Sequence, residues 1–151
     1  MKINIEEIAA RWTLEQITGS EIPDVATQAL VDGYDGPALR ELAGTIAPAL
    51  RDSTHLFEAA LEELHAPQMT RKDAAYILAR KVAGKIINQT VTPYEGAKAI
   101  WSQFAVEVRP DDHGLDPFVY WADEFEDATE EKRKGFCEAA IVKAAVELLE
   151  K

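Results

Sequence analysis

The residues best placed to do chemistry are two histidine-carboxylate pairs. Glu62-Glu63-Leu64-His65 has the Glu-x-x-His spacing with which helical bundles present a carboxylate and an imidazole to a di-metal centre. Such a centre takes one pair from each of two facing helices. The other similar pair, Asp52-Ser53-Thr54-His55, falls on the same predicted helix. At about 100° per residue, His55, Glu58, Glu62 and His65 share the side opposite Leu56, Ala60, Leu61 and Leu64, which predicts a solvated face. That face supports the alternative reading of the chain, a metal-binding helical protein or an enzyme using the histidine and carboxylate positions of its fourth helix.

Other chemistry is thinly represented. Asp111-Asp112-His113-Gly114-Leu115-Asp116 gathers oxygen ligands in one loop. With Gly114 at the sixth position of a calcium loop, Arg109 and Tyr120 would stand where carboxylates are required, so the loop reads as a polar turn with helix-capping aspartates. Cys137 lies in the apolar seam of the last predicted helix and reads as a buried, inert thiol. Gly84-Lys85 lacks the glycine that a phosphate loop needs at Ala79, and neither G-x-S-x-G nor H-E-x-x-H occurs. No catalytic residue, metal ligand or cofactor is assigned.

Two stretches have unusual charge. The fifth predicted helix carries Arg71, Lys72, Arg80, Lys81 and Lys85 against Asp73 alone, which suggests cations paired with acids on other helices, or an anion site. From Asp111 to Glu131 nine carboxylates occur with no lysine or arginine, most of the net charge of −11. Within that stretch Phe118, Trp121, Ala122 and Phe125 share one side of a helix and are expected in the core. Tyr120, Asp123, Glu124 and Asp127 share the other, which predicts an exposed tyrosine among acids. Aromatic rings give contact area at low entropic cost and concentrated negative charge speeds encounter with a basic partner, so these four residues form the candidate partner-binding face.

The elements that must position these residues are all helical. Apolar positions recur at helical spacing and no run alternates as a strand would. Helices are predicted from about Asn4 to Ile17, from Pro23 to Gly33, from Pro37 to Gly44 and from Asp52 to His65, with Pro48 interrupting the segment around Ile46 to Leu50. A fifth runs from a capping-box-like Thr70 and Asp73 to about Asn88. Thr92-Pro93-Tyr94-Glu95 starts a sixth, which buries Tyr94, Ala97, Trp101, Phe104 and Val108. Asp116-Pro117 caps a seventh, and the last, from about Thr129 to Glu150, has Cys137, Ile141, Ala144 and Leu148 as its seam. With short connections and no shift in composition, the expectation over 1–151 is an all-α, single-domain bundle of about seven to eight helices.

Composition narrows the function classes. A chain of 151 residues removes roughly 70% of its unfolded surface from water and needs no staple to fold. One cysteine permits no intrachain disulfide, and no apolar stretch approaches the roughly 20 residues of a membrane span. A soluble, cytoplasmic protein without a membrane role is expected. The two short helices of Pro23 to Gly44 contain only one basic residue, Arg40, and the net charge repels phosphate, so no nucleic-acid partner is expected either.

Ala10-Arg11-Trp12, the run Gly36-Pro37-Ala38-Leu39-Arg40-Glu41-Leu42-Ala43-Gly44, and Pro93-Tyr94-Glu95-Gly96-Ala97 with Ile100-Trp101 together resemble a family of small uncharacterised all-helical bacterial proteins. The resemblance implies a bacterial cytosolic origin and carries no activity, ligand or site residue. By analogy of type, small acidic helical proteins include immunity proteins that mask a basic toxin. The sequence therefore points to a non-enzymatic, immunity- or inhibitor-like module that engages a basic partner protein.

Overall fold

The computed structural model describes residues 2–45 and 50–151, with residues 50–53 described by their backbone alone. The segment around Pro48 and the side chain of Asp52 lie outside it. The described residues are helical throughout, with no strand. They gather into two compact units, Met1–Thr70 and Arg71–Lys151.

In the first unit, α1 (Ile5–Thr13) begins at Asn4, whose side-chain oxygen accepts from the Glu7 amide at 3.0 Å. It ends four residues before the predicted Ile17 because Glu15 turns left-handed at φ 59°. That turn returns Ile17 to the core at 2% exposure. Arg11 fixes the corner by donating to the Gln16 carbonyl and to Glu21, each at 3.0 Å. A short 3-10 turn (Gly19–Glu21) leads into α2 (Ile22–Val31), followed by α3 (Pro37–Ala43) and α4 (Leu50–Glu63). Ile22, Ala29, Leu39, Leu42 and Phe57 pack between them, and Trp12 stacks on Phe57 at 4.5 Å. The Glu63 carboxylate reaches back from α4 to accept from the Ala38 and Leu39 amides at 2.9 and 3.0 Å, satisfying two orphan donors of α3. Gly36 makes room for it, since a Cβ there would lie 2.1 Å from Glu63 Cδ.

In the second unit, α5 (Arg71–Ile87) packs against α6 (Pro93–Ile100) and α9 (Glu131–Glu150), and α8 (Asp116–Asp127) packs against α6 and α9. Thr92 caps α6 as predicted, its hydroxyl accepting from the Glu95 amide at 3.1 Å, with Pro93 in the first turn. A π-helical turn (Trp101–Ala105) joins α6 to α7 (Val106–Val108), giving one rod and eight helices among the described residues. The π turn inserts a residue into the helical phase. Ile100, Phe104, Ala105 and Val108 therefore face inward, while Trp101, predicted to be buried, sits at the margin with Lys98 Nζ 4.3 Å from its ring centre. In α9 the predicted seam of Cys137, Ile141, Ala144 and Leu148 is buried. No helix among the described residues is long and apolar enough to cross a membrane.

Candidate protein-interaction surface

The second unit presents the predicted face on α8. Phe118 and Ala122 are buried, as their side of the helix requires, and Phe125 is half-buried against Tyr94 with ring centres 4.6 Å apart. Asp116 is the first residue of α8 and not its cap. Leu115 holds the cap position, and the Asp116 carboxylate turns to Arg109 Nε and His113 Nδ1 at 2.8 Å each. This fixes the start of the helix from the preceding loop.

Tyr120 is 54% exposed, as its position on the wheel predicts. It is not isolated among acids, however. Its ring meets Trp121 edge-on at 4.8 Å, and Trp121, expected in the core, is only half-buried and also meets the exposed ring of Phe136 of α9 at 5.6 Å. Phe136 is itself 57% exposed. Arg133 sits with its guanidinium 5.8 Å from the Trp121 ring centre and 5.3 Å from that of Phe136, and donates to Glu124 at 2.9 Å. Three aromatic rings and a cation thus form one continuous surface. An open groove of 530 Å³ runs beside it between α8 and α9, lined by Pro117, Trp121, Phe136, Ala140, Lys143 and Glu147 among others.

The four predicted partner-binding residues therefore differ in state. Tyr120, Asp123 and Asp127 are exposed, and the two aspartates have no ion pair among the described residues. Glu124 is half-exposed and committed to Arg133. Phe136 and Arg133 escaped the sequence analysis because they lie in the helix that follows. Their signal was the spacing of the two helices: a short connection makes α8 and α9 antiparallel neighbours and brings positions 121 and 136 opposite each other.

Several other carboxylates of the acidic stretch are neutralised. Glu126 accepts from Lys98 Nζ at 2.8 Å and from the Tyr94 hydroxyl at 2.9 Å, which holds its pKa below the ordinary value. Asp112 accepts from the Tyr76 hydroxyl at 2.5 Å and the Gly114 amide at 2.8 Å, and pairs with Lys72 at 2.9 Å. These donors, led by Tyr76, pull the Asp112 pKa far down. Burial, and then the bond to Asp112, pushes Tyr76 up to about 12. The loop that resembled a cation site is thus a junction closed by protein donors. The basic fifth helix behaves similarly at its start, where Arg71 pairs with Glu107 at 2.8 Å and Lys72 with Asp112. Residues 71–151 hold twelve Lys and Arg against fifteen Asp and Glu, and residues 1–70 hold four against twelve. Most of the net charge therefore resides in the first unit and not, as expected, in the stretch from Asp111 to Glu131, because the lysines and arginines elsewhere in residues 71–151 offset its nine carboxylates.

On α4, His55, Glu58 and Glu62 are exposed, as predicted. His65 does not share their helical face, since α4 ends at Glu63 and His65 adopts φ 55°. Among the described residues no three His, Cys, Asp or Glu side chains are grouped so as to hold a metal ion. Cys137 is completely buried.

No protein-family model, curated protein or solved structure matches the chain. The chain is an all-helical small protein, and the resemblance carried by its Gly36–Gly44 and Pro93–Ala97 runs identifies no family.

Proposed function

We propose that the chain is a non-enzymatic protein-binding module whose α8 face, centred on Tyr120 with Asp123, Glu124 and Asp127, engages a basic partner protein. The observation that supports this most is the exposed ring of Tyr120, held edge-on by Trp121 beside the exposed Phe136 and bordered by Asp123 and Asp127, which make no ion pair among the described residues. A rigid aromatic anchor loses little entropy when covered, and its acidic border attracts lysine and arginine during encounter. Glu124 acts indirectly by holding Arg133 over the rings, which leaves Asp123 and Asp127 to meet the partner. A bacterial cytosolic setting and an immunity- or inhibitor-like role fit this reading by analogy of type.

Parallel affinity capture from the native host tests it. The wild type should retain a basic protein that salt elutes, and the variant Tyr120→Ala, Asp123→Asn, Asp127→Asn should lose that protein while keeping its helical circular dichroism. Equal capture by both would remove the face from consideration.

A further inference from the structure

A cleft of 650 Å³ opens in the first unit, lined by Trp12, Thr13, Glu15, Ile17, Thr54 and Glu58. Its volume falls in the range of small-molecule sites, about 300–1,000 Å³. Negative charge converges on it from three sources. Glu15 and Glu58 are exposed carboxylates that make no ion pair among the described residues. The third source is the C-terminal end of α1, whose last residues are Trp12 and Thr13 and whose final carbonyls carry partial negative charge. No cation answers them. Among the described residues no lysine, arginine or histidine lines the cleft, and Arg11, the base in the last turn of α1, is committed to Glu21 and to the Gln16 carbonyl. We propose that the cleft binds a small aliphatic diamine in its diammonium form.

The apolar part of the wall selects an organic cation over a metal ion. Phe57 covers one face of the Trp12 ring at 4.5 Å, and the half-buried ring turns surface to the cleft, where an ammonium placed against it gains a cation–π contact. Ile17 gives the methylene groups an apolar neighbour. A metal ion needs several ligands grouped about one point, and no three His, Cys, Asp or Glu side chains are so grouped among the described residues. Two carboxylates on separate elements, Glu15 after α1 and Glu58 on α4, match two ammonium groups joined by a flexible chain. The left-handed turn at Glu15 that ends α1 sets this residue at the wall of the cleft. Residues 1–70, with four Lys and Arg against twelve Asp and Glu, add a field that concentrates cations at this unit. The cleft shares no residue with the α8 face, so the inference does not rest on the partner proposed above.

Titration of the full chain with putrescine, two ammonium groups on a butyl chain, tests it through the indole N–H resonances of the three tryptophans. The Trp12 resonance should shift and saturate with a Kd below about 1 mM at about 150 mM salt, while those of Trp101 and Trp121 stay in place. Glu15→Gln and Glu58→Gln, both at exposed positions, should keep the fold and each weaken binding at least about fivefold, because a hydrogen bond to a charged group contributes that much. Butylamine, with one ammonium, should bind at least about fivefold more weakly than putrescine. Absence of a saturable Trp12 shift up to about 10 mM putrescine would overturn the proposal. An affinity unchanged in either Gln variant would overturn it too. So would a Trp12 shift that magnesium chloride reproduces at matched ionic strength, the mark of a counterion atmosphere, or tighter binding of Nα-acetyl-lysine methylamide than of putrescine, the mark of a protein side chain as occupant.

Discussion

At the Asp112 carboxylate, a phenol, an ammonium and a backbone amide converge and tie the loop before α8 to α5. The folded pKa of Asp112 is depressed, so this junction contributes its full stability above the ordinary carboxylate value and loses it as pH falls towards the depressed value. Urea midpoints of the wild type and Asp112→Asn should therefore converge between about pH 5 and about pH 2; a constant difference would contradict the assignment. Tyr76 has the opposite sign. Its folded pKa of about 12 lies above the ordinary 10.0, so its contribution is complete below the ordinary value and lost as pH rises through about 12. Spectrophotometric titration should show one tyrosine ionising near that pH, absent from Tyr76→Phe. Two glycines make a further contrast. A Cβ on Gly96 would lie 2.4 Å from Ile86 Cγ1, whereas one on exposed Gly135 meets nothing within 4 Å. Gly96→Ala should lose about 1 kcal/mol, overpacking outweighing the gain in helix propensity, and Gly135→Ala should gain about 0.5–1 kcal/mol. Chemical denaturation of both variants checks the pair.

At the scale of the helices, four ends are built alike. After α1, α2, α4 and α5 the chain turns left-handed at Glu15, Gly33, His65 and Gln89, and the next amide bonds back to a carbonyl five residues earlier, as in Gln16 to Arg11 at 2.8 Å and Ala66 to Leu61 at 2.9 Å. Only the Gly33 stop was legible in the sequence, because the other three use residues that do not advertise a positive φ. This is why apolar spacing alone extends α1 to Ile17 and sets His65 on a helical face with Glu62. A β-branched residue is strained in that conformation, so His65→Val and Gln89→Val should each cost about 1–2 kcal/mol although both sites are exposed. A loss within the few tenths typical of surface changes would contradict the cap geometry. The Thr92-Pro93 start and the α9 seam were legible because cap chemistry and apolar spacing are local. The π turn at Trp101–Ala105, the Glu63 carboxylate on α3 and the ring contact between Trp121 and Phe136 were not, because each depends on what a neighbouring helix places opposite.

At the scale of the whole chain, the charge is divided unequally: residues 71–151 are close to balanced and offer aromatic surface, while the acidity concentrates in residues 1–70. On the proposed reading, negative charge draws a basic partner by long-range field and the Tyr120 ring holds it as a local anchor. On α8 the two contributions are separable, since Asp123 and Asp127 carry charge without ring contacts and Tyr120 carries a ring. The measurement that tests this account most directly is the association rate of the captured partner as a function of ionic strength, compared between the wild type and Asp123→Asn, Asp127→Asn. The account predicts slower association for the variant and a shallower dependence on salt, with Tyr120→Ala instead raising the dissociation rate. Identical association rates and salt slopes for wild type and variant would contradict it and leave the acidic face of α8 as solvated surface.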